Sequence, residues 1–201
     1  MIIGIDHVTF NSNNLKFLKL KNNFKEIYNF ISINHVKKKI FLKNFANKHL
    51  IIFNKSLDLN PSVEFTSYSN IKKKISAIKV KKNKLYIFSN AYQDEMIFWK
   101  DIINIKFNFK YKKLNYFSTI DQKKYEVFFR KKKIDKYYLD YNGYTNICFI
   151  TTNIRFIFNY SKNMQLENSG VFVIKIKKHR FRVLFLRSKG NIIYEFIEFL
   201  N

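Results

Sequence analysis

Glycine, proline and cysteine are scarce in this chain of 201 residues, which contains four glycines, one proline and one cysteine. So few glycines exclude P-loop and dinucleotide-binding proteins, because their phosphate-binding loops need several glycines at fixed spacing. The single cysteine, Cys148, excludes a disulfide framework and a cysteine-based zinc cluster, and it is compatible with a reducing compartment. These shortages remove several common classes of enzyme and of secreted protein.

Long apolar runs are also absent. No stretch approaches the roughly 18 uncharged apolar residues that a membrane-spanning helix needs. The first ten residues include Asp6 and His7, and they lack the basic start and long apolar core of a signal peptide. The expectation is a soluble cytoplasmic protein without a membrane partner.

Positive charge is abundant, with a formal net charge of +24 from 33 lysines and 5 arginines against 14 acidic residues. Lysine, asparagine, isoleucine, phenylalanine and tyrosine have A/T-rich codons, so an A/T-rich genome explains this composition whatever the protein binds. The shortage of arginine argues against specific nucleic-acid recognition, because arginine supplies the bidentate contacts to bases and phosphates. Nucleic acid is therefore an unfavoured partner, although a basic RNA- or ribosome-associated protein stays open as an alternative.

Three segments of the chain follow the same pattern of one strand, one helix and three further strands. They cover residues 1–70, 83–132 and 143–201. In the first segment the pattern predicts a strand over 2–10, a helix over 15–31 and strands over 38–44, 49–54 and 62–68. In the second it predicts a strand over 85–89, a helix over 93–103 and strands over 105–111, 114–120 and 125–130.

The third segment has the clearest turn signals. They predict a strand over 144–150, a helix capped at 151–153 that runs to 161, and strands over 171–177, 180–187 and 192–199. The basic stretches 72–84 and 131–142 are expected to be solvated linkers. In the helix over 93–103, Asp94 and Glu95 lie in the first turn, and Met96, Trp99 and Ile103 share the face expected to pack on a sheet.

A repeated βαβββ unit predicts an α+β protein with curved mixed sheets. One unit alone buries its sheet face poorly, whereas two units side by side make a cup whose concave face can hold a ligand. Three units are an odd number for such pairing. Either one unit, such as the second, is degenerate, or a unit pairs across the interface of a homodimer.

Four short motifs resemble the vicinal oxygen chelate superfamily, which contains glyoxalases, epimerases, extradiol dioxygenases and bleomycin-resistance proteins. IDHVTFN at 5–11 is similar to its first strand, and PSVEFTSY at 61–68 is similar to a later strand of the same unit. FWKDIINIKF at 98–107 is similar to its helix-to-strand signature. GNIIYEFIEF at 190–199 is similar to its terminal turn and strand.

The resemblance implies a set of metal ligands. His7 matches the first ligand, Glu64 the ligand on the later strand, and Glu195 the terminal ligand, with Glu198 as a less favoured substitute. The position equivalent to His7 falls near Tyr86 in the second unit and near Cys148 in the third. Cys148 itself lies in an apolar strand and is expected to be a small buried hydrophobe.

The same resemblance implies a divalent-metal-dependent enzyme that acts on a small molecule. One imidazole and two carboxylates suit Fe, Mn, Ni, Co or Zn, and the metal would chelate adjacent substrate oxygens in a lyase, epimerase or dioxygenase reaction. No further catalytic residue is assigned. Two alternatives stay open: a non-catalytic small-molecule-binding or accessory protein of the same fold, and a site in which Glu64 and Glu195 face solvent while His7 is a hydrogen-bonded strand histidine.

Overall fold

The structure is a computed structural model, and it describes residues 2–12, 26–31, 41, 48–54, 61–67, 73–75, 77–103, 113–118, 122–176 and 178–200. The first segment contributes strands β1 (Ile2–Asn11), β2 (Glu26–Ile31), β3 (Lys48–Asn54) and β4 (Ser62–Ser67). The basic stretch before the second segment contributes β5 (Ile78–Lys81), and the second segment contributes β6 (Lys84–Ser89), helix α1 (Tyr92–Ile103), β7 (Lys113–Ser118) and β8 (Lys123–Lys131). The third contributes β9 (Gly143–Thr151), helix α2 (Ile154–Asn163), β10 (Glu167–Asn168), β11 (Phe172–Ile176), β12 (His179–Arg187) and β13 (Ile193–Leu200).

The strands of the first and third segments form one nine-stranded sheet. Its order is β10-β12-β13-β9-β1-β4-β3-β2, with β11 paired to β12. The two segments meet where β1 runs antiparallel to β9 at the centre of the sheet. The second segment and β5 form a separate four-stranded sheet in the order β5-β6-β8-β7.

All three segments share one strand arrangement. The first strand is parallel to the last in each, as the pairs β1 with β4, β6 with β8 and β9 with β13 show. The last strand is then antiparallel to the strand before it in the sequence, as in the pairs β3 with β4, β7 with β8 and β12 with β13. The predicted α+β fold with curved mixed sheets is confirmed. The boundaries 1–70, 83–132 and 143–201 stay a prediction for the division into domains.

Helix α1 packs between the two sheets. Met96, Trp99 and Ile103 are all buried, as predicted from their spacing. The Trp99 ring contacts Phe129 of the four-stranded sheet and Phe149 of the nine-stranded sheet, with ring centroids 5.9 and 5.3 Å apart. The aromatic residues of α1 thus join the second segment to the paired first and third segments. None of the helices in the described part of the chain is long and apolar enough to cross a membrane.

Two predictions in the first segment are wrong where the structure can be compared with them. The predicted helix over 15–31 cannot include residues 26–31, which form β2 and pair with β3. The sequence EIYNFI fits helical spacing, but it is also rich in β-branched and aromatic residues, and pairing with β3 decides the outcome. Phe41 is helical rather than part of a strand over 38–44. The remaining residues of both predictions, like the strand predicted over 105–111, lie outside the described residues.

The two basic stretches are not simple solvated linkers. Lys79 and Lys81 are exposed on β5, whereas Ile78 is buried. The first stretch therefore contains a strand with one exposed and one buried face. In the second stretch the lysines at 131–133 are exposed, but Tyr137 is buried. The Tyr137 hydroxyl accepts a hydrogen bond from the backbone N–H of Ile193 at 3.0 Å, so this stretch packs against the core.

Candidate metal centre

A row of buried polar side chains follows the two central strands of the nine-stranded sheet and their parallel neighbours. Alternate residues of a strand point to the same face. The set comprises His7, Thr9 and Asn11 of β1, Glu64 and Thr66 of β4, Asn146 of β9 and Glu195 of β13. Burial of polar groups costs free energy unless they have partners, so an apolar core avoids them. A buried face lined by polar side chains therefore indicates a binding site.

Three of these side chains converge. Nε2 of His7 lies 3.4 Å from Oε2 of Glu64 and 3.6 Å from Oε2 of Glu195. The ligand atoms of the three residues lie within 4.8 Å of one another. These are the residues that the family resemblance implies as metal ligands. Three distant parts of the sequence meet here because β1 pairs with β4 and with β9, and β9 pairs with β13.

Neutral donors hold each carboxylate in place. The Thr9 hydroxyl donates a hydrogen bond to Oε2 of Glu64 at 2.7 Å. Nδ2 of Asn146 donates to Oε2 of Glu195 at 2.9 Å. The oxygen that faces His7 is in both cases the oxygen that the neutral donor fixes, so Thr9 and Asn146 orient the two carboxylates toward the His7 ring.

The carboxylate of Asp6 fixes the other side of the His7 ring. Its Oδ2 lies 2.8 Å from Nδ1 of His7, a geometry that favours a proton on Nδ1, while Nε2 of the same ring faces Glu64 and Glu195. Metal-binding histidines commonly have such a carboxylate partner. Sequence reasoning missed Asp6, Thr9 and Asn146. Strand alternation from His7 could have found Thr9, but not the pairing that brings Asn146 to Glu195.

Burial and the neighbouring charged groups shift the pKa values of His7 and Glu195. Burial raises the pKa of Glu195, and the nearby Glu64 carboxylate raises it further, against hydrogen bonds from His7 and Asn146. For His7, burial is the largest single cause and lowers the pKa, but Cys148, Glu64 and Asp6 together raise it well above its usual value. Both shifts favour the protonated form of the group, and the Glu64 carboxylate contributes to each.

The alternative site assignments can be compared with this geometry. Glu64 and Glu195 are 9% and 8% exposed, so the placement of both on a solvated face is wrong. Glu198 lies three residues along β13 and therefore on the opposite face, where it accepts hydrogen bonds from the N–H of Ile154 and from Arg182. Tyr86 stacks on Phe128 with ring centroids 5.0 Å apart, away from the cluster.

The donor set fits a divalent metal. Two ligands that each lie about 2.1 Å from a tetrahedral metal are about 3.4 Å apart, and the two Nε2–carboxylate distances are close to this separation. One imidazole nitrogen and two carboxylate oxygens suit Fe, Mn, Ni, Co or Zn. The two carboxylate side chains are 12% and 11% exposed.

A further buried carboxylate, outside the His7 cluster, lies where α1 meets the turn before β13. Glu95 accepts hydrogen bonds from the Ser188 hydroxyl, from the Gly190 N–H at 3.1 Å and from the Tyr194 hydroxyl at 2.7 Å. Burial raises the pKa of Glu95 to about 7, despite these hydrogen bonds. A Cβ atom at Gly190 would overlap the Ser89 hydroxyl and the Glu95 carboxylate, so a larger residue there would have to displace these buried side chains. The sequence suggested a role at the helix terminus for Glu95, but not its burial.

Comparison with known structures identifies the fold. The chain is similar to a maize glyoxalase I variant, with a TM-score of 0.50 and 9% identity over 97% of this chain and 92% of that one. It is also similar to methylmalonyl-CoA epimerase from Mycobacterium tuberculosis, with a TM-score of 0.47 and 6% identity over 100% and 91%. A Bacillus subtilis protein assigned as a dioxygenase gives 0.38 and 8%, and the chain spans 63% of its length.

The chain therefore has a glyoxalase-like fold, in agreement with the α+β fold of curved mixed sheets predicted from the sequence. At 9% identity, the similarity to glyoxalase I concerns the fold alone. No protein-family model and no curated protein matches the sequence.

Proposed function

We propose that the protein is a divalent-metal-dependent enzyme that acts on a small molecule with two adjacent oxygen atoms. The proposal rests on the convergence of His7, Glu64 and Glu195, whose ligand atoms lie within 4.8 Å of one another on the buried polar face. The reaction class is that of a lyase, an epimerase or a dioxygenase. A metal bound there would act as a Lewis acid that stabilises negative charge on a substrate oxygen.

The residues of the chain have distinct tasks in this proposal. His7, Glu64 and Glu195 would hold the metal, while Thr9 and Asn146 fix the carboxylate oxygens. Asp6 keeps the His7 ring in the orientation that directs Nε2 at the two carboxylates. A catalytic acid or base beyond these groups is not assigned.

Three protein ligands distinguish a catalytic from a structural centre. A structural zinc site closes its coordination with four protein ligands, whereas a catalytic site leaves positions for water and substrate. The partly exposed carboxylate side is where a small molecule would reach the metal. A cytoplasmic location and a homodimer belong to the same proposal and are tested separately, by fractionation and by analytical ultracentrifugation.

The test measures whether water molecules coordinate the bound metal and exchange with the solvent. Metal-free protein is loaded with Mn²⁺, and the relaxation rate of water protons is measured with and without protein. We expect enhanced relaxation, because open positions let bound water exchange with the solvent. Bound Mn²⁺ that shows no exchanging water would contradict a catalytic centre and would favour the non-catalytic alternative.

A further inference from the structure

Cys148 lies directly across from His7 at the centre of the nine-stranded sheet. The two residues are partners in the antiparallel pairing of β1 with β9, so their side chains leave the sheet on the same face. His7 is 1% exposed and Cys148 is fully buried. Ligand atoms of Asp6, His7 and Cys148 lie within 4.8 Å of one another, and they make a second group of possible metal ligands beside the first.

The two groups differ in their donor atoms. The first offers one imidazole nitrogen and two carboxylate oxygens, whereas the second offers a sulfur, an imidazole nitrogen and one carboxylate oxygen. Thiolate ligands select softer metals, such as zinc and the chemically similar cadmium, over manganese and magnesium. The second group is therefore suited to a thiophilic metal, which would replace the proton of the Cys148 thiol.

Both groups use the same imidazole ring. Oδ2 of Asp6 lies 2.8 Å from Nδ1, whereas the oxygens of Glu64 and Glu195 face Nε2. A neutral imidazole has a single nitrogen lone pair, because its other nitrogen carries the proton. A metal held with Asp6 on the Nδ1 side therefore takes that lone pair away from the Nε2 side, and the two groups cannot both be fully occupied.

We propose that Asp6, His7 and Cys148 form a second metal site, specific for thiophilic divalent metals, which competes with the His7–Glu64–Glu195 site. Asp6, whose side chain is 33% exposed, provides the side from which the metal enters. Binding at the second site does not depend on the function proposed above, since it needs neither Glu64 nor Glu195. Zinc or cadmium bound at the second site would exclude a harder metal, such as manganese, from the His7–Glu64–Glu195 site.

The test is a Cd²⁺ titration of the metal-free, reduced full-length protein, followed by near-ultraviolet absorption. A thiolate bound to Cd²⁺ gives a charge-transfer band, and Cys148 is the one cysteine of the chain. We expect the band to saturate at one equivalent in the wild type and in the Glu64→Gln/Glu195→Gln double variant. It should be absent in Cys148→Ser, and Trp99 fluorescence checks that each variant is folded.

Competition is measured in the same samples with Mn²⁺ bound beforehand and followed by electron paramagnetic resonance. Cd²⁺ should release Mn²⁺ from the wild type at lower concentration than from Cys148→Ser. The absence of a band in the wild type, or its loss in the Glu64→Gln/Glu195→Gln variant, would overturn the second site. Failure of Mn²⁺ to bind, with the Cd²⁺ band intact, would overturn the proposed enzyme site and leave the second site standing.

Discussion

The carboxylate of Asp6 lies 2.8 Å from Nδ1 of His7, its neighbour on β1, while Nε2 of the same ring faces Glu64 and Glu195. A register shift between Ile5 and His7 in the pairing of β1 with β9 accompanies this local geometry. Adjacent residues of a regular strand point to opposite faces. The irregularity therefore lets two consecutive residues act on one site.

Asp6→Asn tests the orienting role of this carboxylate. The amide cannot balance positive charge on the ring as the carboxylate does, so we expect the affinity for Mn²⁺ to fall about 10- to 100-fold while the stoichiometry stays unchanged. Electron paramagnetic resonance of free Mn²⁺ measures both quantities. Asp135→Asn, at an exposed position, is the matched control and should bind like the wild type. Equal affinities in the two variants would remove Asp6 from the account.

The two glutamates of β13 provide a second test. Glu195→Gln should lose metal binding, because it removes a charged ligand from the cluster, whereas Glu198→Gln should keep it. Both changes are on one strand and have the same chemistry, and only the face of the sheet differs. Inductively coupled plasma analysis after reconstitution gives the metal content. Loss of metal in Glu198→Gln alone would show that the terminal ligand has been misassigned.

The family resemblance, rather than any pattern of spacing, pointed to His7, Glu64 and Glu195, and the structure brings these three side chains together. The sequence around His7, Glu64 and Glu195 reads as strand in each case, and all three predictions of a strand agree with β1, β4 and β13. The pairing of the first unit with the third, however, depends on long-range contacts between β1 and β9. No local pattern specifies which of three similar units joins which, so the odd number of units left the question open.

Glu95 predicts a pH dependence of stability. Its pKa rises from 4.5 to about 7 on folding, so the folded state holds a proton that the unfolded state loses. The contribution of the neutral carboxyl is fully present below about pH 4.5 and is lost as the pH rises through about 7. Through this group, the free energy of unfolding should be roughly 2 kcal/mol lower at pH 8 than at pH 5.

Urea unfolding of the wild type and of Glu95→Gln at both pH values measures this difference. Other groups also titrate in this range, so the informative quantity is the change between the two proteins. The variant should lack most of the Glu95 contribution. An identical pH dependence in both proteins would mean that Glu95 is not protonated in the folded state.

The burial of Glu95 shows what the sequence could not reveal. A glutamate in the first turn of a helix is ordinarily explained by the helix dipole. Here the turn at 188–191 supplies the hydrogen-bond donors, and that turn lies more than ninety residues away in the sequence. The burial of Tyr137 could not be predicted for the same reason, because its hydrogen-bond partner Ile193 belongs to β13, which is distant in the sequence.

The basic charge predicts weak and unspecific RNA binding. Exposed lysines occur on several separate elements, such as Lys79 of β5, Lys124 of β8 and Lys175 of β11. Such contacts release counterions, so affinity should fall steeply with salt and show no preference for sequence. Fluorescence anisotropy with two unrelated RNAs at low and at physiological salt measures this. Tight binding of one RNA at physiological salt, in the presence of bulk competitor, would support the RNA-associated alternative.

Metal content is the most direct test of the central claim. Metal-free wild type, His7→Ala and His179→Ala are each reconstituted with Mn, Fe, Ni and Zn under reducing conditions, freed of excess metal and analysed. His179 is exposed and controls for the loss of a histidine. We expect about one equivalent of Mn or Fe in the wild type and in His179→Ala, and less than about a tenth in His7→Ala with its fold intact. Less than about a tenth of an equivalent in the wild type with all four metals would contradict the account.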